Sequence, residues 1–138
     1  MREVFADTGY WVAMISSDDI LRDAVDRIAG EIGACQVVTS EMVLVEVLNF
    51  FARGGDRARS AAVAAVRDLN HDSDVEIVAQ TSAQFAKAFD RYSSRLDQSW
   101  SLVDCSSFVL MEERGIHDAL AHDIDFVQAG FNALLRSG

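Results

Sequence analysis

The sequence predicts an α/β protein with a three-layer α/β/α architecture and a central, mainly parallel sheet of about five strands. Two features lead there. Short β-branched or apolar runs alternate along the chain with longer segments whose apolar residues recur at three and four. Half the residues are hydrophobic, a quarter are charged and none is proline, a composition suited to an ordered, helix-rich globule. The 138 residues are expected to form one domain, 1–138, burying about two-thirds of the surface of the unfolded chain.

Val4–Ala6 is the first expected strand, breaking off at Asp7-Thr8-Gly9. Tyr10–Ile15 continues as an apolar helical segment, and Ser16-Ser17-Asp18-Asp19 is a cluster of turn and cap residues. From Ile20 to Ile32 the apolar positions place one stripe on a sheet, and Gly33 closes the helix. Gln36–Thr39 is a short buried strand, after which Ser40-Glu41 opens a helix running to Gly54-Gly55.

That helix is apolar around its whole circumference, so it is expected to be buried on nearly all sides, yet Glu46 lies in its middle. An acid in a dry helix neutralises, pairs with a base or binds a metal. Arg57–Leu69 is expected to return as the second arm of a helical hairpin. Val75–Val78 is a further strand, and Thr81 caps a helix with Phe85, Ala88, Phe89 and Tyr92 on its expected buried face. Ser101-Leu102-Val103-Asp104 starts the next helix, which ends at Gly115. Asp118–Ala121 is a strand, His122-Asp123-Ile124-Asp125 a turn, Phe126–Ala129 a helical turn, and Phe131–Leu135 a last apolar piece.

Net charge is −10, with 22 acids against 12 bases, which excludes capture of nucleic acid by an evenly basic surface. Local binding stays open, because Arg53, Arg57, Arg59 and Arg67 crowd one short segment and suit bidentate contacts to phosphate. Cys35 and Cys105 have no CxxC or Cys/His spacing and are read as reduced thiols. No apolar run approaches the roughly 18 residues of a membrane span, and no signal sequence is evident, so a cytoplasmic protein without membrane contact is expected.

The strongest chemical signal is a set of acids sent to one sheet edge. Asp7 and Asp123 each follow a strand and would meet at the carboxyl edge, where open α/β sheets bind ligands. Glu46 and Asp104 arrive from helices, although Asp104 also fits the third position of a capping box begun by Ser101. An all-oxygen acid set suits Mg²⁺ or Mn²⁺ and not zinc.

These same segments resemble the PIN-domain ribonucleases, and among them the VapC-type toxins of bacterial and archaeal toxin–antitoxin pairs. The resemblance spans the chain and rests on Phe5-Ala6-Asp7-Thr8, on Ser40 to Asn49, on Ser101 to Phe108 with Glu112 to Ile116, and on Ala119 to Phe126 with Gly130-Phe131. It implies one PIN-like nuclease domain whose catalytic and metal-holding quartet is Asp7, Glu46, Asp104 and Asp123, with Asp125 as an accessory metal ligand. It further implies Mg²⁺- or Mn²⁺-dependent hydrolysis of RNA, a homodimer, and a cognate antitoxin that blocks the acidic groove. Two positions depart from the family pattern. Ala121 stands where a threonine or serine is common, and Val103 replaces a common polar residue.

Other acidic α/β families fit less well. A phospho-receiver needs a lysine beyond a late strand, whereas the single lysine, Lys87, lies mid-helix. An aspartic protease is β-rich, and a haloacid-type phosphatase wants an acid where Gly9 sits. The competing reading is a catalytically weak PIN-like module for RNA binding or protein interaction, favoured by Ala121 and the sparse positive charge.

Overall fold

A computed structural model describes residues 1–136; positions 137 and 138 of the expected single domain lie outside the described residues. Five parallel strands form one sheet: β1 (Glu3–Ala6), β2 (Gln36–Ser40), β3 (Val75–Val78), β4 (Asp118–Leu120) and β5 (Asn132–Ala133), in the order β3-β2-β1-β4-β5. The helices are α1 (Thr8–Ile15), α2 (Arg22–Glu31), α3 (Glu41–Phe51), α4 (Gly55–Asn70), α5 (Ser82–Ser94), α6 (Leu102–Arg114) and α7 (Ile124–Gln128). The expected three-layer architecture is therefore the observed one.

The chain moves outward from β1 through β2 to β3, then returns to the other side of β1 for β4 and β5. The direction of winding thus reverses between β1 and β4, and the crevice at the carboxyl ends of those two strands is the natural ligand position. Register fixes what lies there. Ala6 pairs with Leu120, and the Asp7 N–H donates to the Leu120 carbonyl at 3.2 Å, so the residues just beyond each strand emerge together.

Val4, Phe5, Ala6, Val38, Ala119 and Leu120 are buried at 2% exposure or less, which makes this the centre of the core. The floor beneath the crevice is aromatic: Phe108 of α6 meets Phe126 edge-to-face at 5.0 Å and Trp100 at 5.1 Å, with Phe131 at 5.6 Å. Such pairs add roughly 0.5–1.5 kcal/mol each beyond their area. They hold the starts of α6 and α7 against the sheet.

Three expectations need correction. The second helix starts at Arg22, not Ile20, because the Asp19 carboxylate accepts the Leu21 N–H at 2.9 Å in a local turn and leaves Ile20 94% exposed. Helix α3 is not buried all round: Val43, Leu44, Val47 and Phe51 face the core, whereas Val45, Leu48 and Phe50 are exposed. On α5 only Ala88 is fully buried, while Phe85, Phe89 and Tyr92 are about half-exposed. Helical spacing identifies an apolar face but not whether this chain covers it.

Candidate active site

Helix starts and a few cross-chain hydrogen bonds position the acids. Asp7 is the N-cap residue of α1, with extended backbone (φ −89°, ψ 170°) and no side-chain cap bond, so its carboxylate stays available to the crevice. Its backbone is anchored from below: Trp11 Nε1 donates to Thr39 Oγ1 at 3.1 Å, and that hydroxyl donates to the Ala6 carbonyl at 2.9 Å. Glu46 lies one and a half turns into α3, whose start is fixed by the Ser40 hydroxyl accepting the Val43 N–H. Thr8 Oγ1 donates to Glu46 Oε1 and so ties the α1 start to α3.

Asp104 closes the expected capping box with Ser101 at the start of α6. Asp123 is the N-cap of α7, its Oδ1 accepting the Asp125 N–H at 3.0 Å. Asp7, Asp104 and Asp123 therefore sit at three helix starts, where the positive end of the backbone dipole favours a carboxylate by roughly 0.3–1 kcal/mol.

All five predicted residues, Asp7, Glu46, Asp104, Asp123 and Asp125, line one open cleft of about 650 Å³ at the switch point. The structure brings Asp104, Asp123 and Asp125 closest, with one oxygen from each within 4.8 Å of the others. Asp7 and Glu46 complete the wall from β1 and α3. Glu46 is half-buried at the rim rather than sunk in a dry helix, so its place in the cleft, not desolvation, is what singles it out. Among the described residues, the bases on this wall are His122 and Arg136.

Burial, reinforced by charge crowding, shows in the proton affinities. Burial raises the Asp7 pKa to about 7, opposed by the neighbouring Thr8 amide and reinforced by Asp104, Glu46 and Asp123. Asp104 rises to about 6, chiefly through burial, against the Ser101 amide and with the Asp123 and Asp125 charges adding to it. Burial and Asp123 also raise Asp125. Two carboxylates 4–5 Å apart repel by on the order of 3–4 kcal/mol at an effective dielectric constant near 20. The donor set thus fits a hard divalent cation: oxygen ligands only, and more negative charge than the cleft's own bases offset.

Two participants carry no clear sequence signal. Arg136, three residues beyond β5, reaches back so that Nη1 donates to the His122 carbonyl at 3.0 Å. Thr8 was part of the strand-end motif without an assigned task. The arginine-rich segment lies elsewhere: Arg59 and Arg67 share a shallow groove on α4 with Asp56, and none of Arg53, Arg57, Arg59 and Arg67 lines the acid cleft.

Comparison with known proteins accounts for this arrangement. The PIN domain family profile matches residues 4–132. The 23S rRNA-specific endonuclease VapC20 of Mycobacterium tuberculosis, in strains CDC 1551 and H37Rv, is 30% identical over 128 residues, covering 93% of this chain and 95% of the relative. The crystal structure of VapC20, described as a sarcin-ricin loop cleaving toxin, superposes with a TM-score of 0.84 at 28% identity, covering 94% of this chain and 97% of that one. The protein belongs to the PIN-domain family and is a homologue of the VapC20 toxin endonuclease.

Proposed function

We propose that this protein is a Mg²⁺- or Mn²⁺-dependent endoribonuclease, one PIN-like nuclease domain over residues 1–138, acting in the cytoplasm as the toxin of a toxin–antitoxin pair. The observation that carries the reading is the convergence of five acids on one cleft at the switch point of a PIN fold whose relative cleaves ribosomal RNA. Asp7, Glu46, Asp104 and Asp123 are the proposed catalytic and metal-holding residues, with Asp125 as the accessory ligand. A bound divalent cation would activate water and stabilise charge on the leaving oxygen. The residues themselves orient and exclude: Thr8 holds Glu46, the capping box holds Asp104, and Arg136 supplies a cation at the rim to a phosphate. Ribosomal RNA is the proposed substrate, by analogy with the relative.

Partners follow from two surfaces. An apolar cleft of about 330 Å³ between α1, α3 and α4, with Trp11, Met14, Leu44 and Leu69 on its walls, suits a helix of the cognate antitoxin. The exposed Phe85 and Phe89 of α5, stacked 6.4 Å apart, and Val45 and Phe50 of α3 suit burial in a homodimer. Among the described residues no helix is long and apolar enough to cross a membrane.

The test is incubation of purified protein with ribosomal RNA and with Mg²⁺, Mn²⁺ or chelator, mapping cut ends. Cleavage that needs the metal and disappears in Asp7→Asn establishes the reading; intact RNA under every metal condition refutes it.

A further inference from the structure

Beside the acid cleft lies a smaller pocket of about 170 Å³, and Ser99 belongs to the walls of both. Tyr92, Arg95, Leu96 and Trp100 line it. Trp100 is 5% exposed, and its indole N–H, itself buried, has no acceptor among the described residues. A buried donor left unpaired is uncommon and costly. Over the same indole stands the Arg95 guanidinium, 5.1 Å from the ring centroid, with Arg91 at 5.6 Å.

These arginines are not free charges. Arg95 is paired with Asp97, its Nε and Nη2 each donating to one carboxylate oxygen at 3.0 Å, and Arg91 pairs with Glu112 at 2.8 Å. Both guanidiniums already have a carboxylate partner, so a phosphate would compete with Asp97 and Glu112 for them. What the pocket offers is a guanidinium plane, a half-exposed tyrosine ring and the Trp100 indole in its wall. Together they suit a flat group that stacks, and the volume of about 170 Å³ admits one planar base rather than a whole nucleotide.

We propose that this pocket is a nucleobase subsite: when a phosphate of single-stranded RNA lies at the acids, a neighbouring base enters past Ser99 and stacks against Arg95 and Tyr92 beside the Trp100 indole. Stacking on aromatic and guanidinium planes is a common means of holding unpaired bases. The subsite rests on the RNA-cleaving reading and gives it a means of choosing where to cut.

The chain contains two tryptophans, so two indole N–H resonances report on it, the Trp100 signal being assigned by its loss in W100F. Uncharged adenosine, guanosine, cytidine and uridine are titrated, with inorganic phosphate and phenol as controls. At least one nucleoside is expected to move the Trp100 signal while leaving Trp11 in place, and R95A should abolish the shift. Immobility with all four nucleosides overturns the proposal, as does an equal response to phosphate, or to phenol, which would instead indicate an aromatic side chain of a protein partner. With RNA as substrate, R95A should raise KM about tenfold with kcat and the metal-induced rise in Tm unchanged. An unaltered KM overturns the subsite while leaving the nuclease reading intact. Failure of the wild type to cut RNA refutes the nuclease reading, and the nucleoside titration still decides the pocket.

Discussion

Ser101 and Asp104 satisfy each other reciprocally: the Ser101 N–H donates to Asp104 Oδ2 at 3.0 Å, and the Asp104 N–H donates to Ser101 Oγ at 3.0 Å. One carboxylate oxygen is thereby committed to the helix start, and the side chain is held toward Asp123 and Asp125. The same orientation serves the helix start and turns the carboxylate toward the neighbouring acids.

Separating those uses is the first prediction. Ser101→Ala removes the cap acceptor while keeping every acid, and should cost about 1 kcal/mol, or a fall in Tm of about 3–5 °C at this size. Cleavage should persist at reduced rate. Asp104→Asn, by contrast, should lose RNA cleavage by at least about 100-fold, a drop of the order seen when a key electrostatic group is removed. Thermal melts beside cleavage rates check both, and equal activity in Asp104→Asn and wild type would exclude Asp104 from the chemistry.

The second prediction concerns pH without metal. A carboxyl whose folded pKa is raised to about 7, as for Asp7, holds its proton in the native state where the unfolded chain has already lost it. The native state then binds more protons between roughly pH 4 and 7, so stability must fall as pH rises across that window. Asp104, raised to about 6, acts in the same direction. In chelator, Tm should be higher near pH 5 than near pH 7.5, and Asp7→Asn should flatten the profile. A Tm that climbs from pH 5 to 7.5 in chelator contradicts the raised proton affinities of Asp7 and Asp104.

Metal should reverse that penalty. Mg²⁺ or Mn²⁺ at about ten times its dissociation constant should stabilise the fold by roughly 1.4 kcal/mol, a Tm rise of a few degrees. Binding must displace the protons held at Asp7 and Asp104, so affinity should increase as pH rises toward and past 7. Calorimetry in buffers of different ionisation enthalpy measures that proton release. Asp7→Asn should melt higher than wild type in chelator at pH 7.5 and gain less from metal; a lower melt, with wild type indifferent to metal, would mean that the acids do not act as one site.

Thr8 supplies the fourth prediction, because its hydroxyl is the direct partner of Glu46. Thr8→Val keeps the shape and removes the bond. Groups that orient a metal-site carboxylate typically contribute 10- to 100-fold, so a loss of about tenfold in metal affinity or kcat is expected with the fold retained. Thr8→Ser should restore it. Unchanged kinetics in Thr8→Val would make the contact incidental.

The sequence by itself determined the elements and the acids each would carry to the cleft, because those signals are local. A β-branched run ending at Asp7-Thr8-Gly9, a capping box at Ser101 and a polar interruption at Glu46 are all readable within a turn or two of chain. Only the tertiary structure decided how the acids group. Strand order placed β4 beside β1, so that the Asp104, Asp123 and Asp125 oxygens cluster while Asp7 and Glu46 line the same cleft. It also decided that Glu46 sits at a rim, that Phe85 and Phe89 are left uncovered, and that Arg136 reaches back to the cleft. Periodicity measures which side of a helix is apolar; what that side meets depends on long-range packing, which no local pattern encodes.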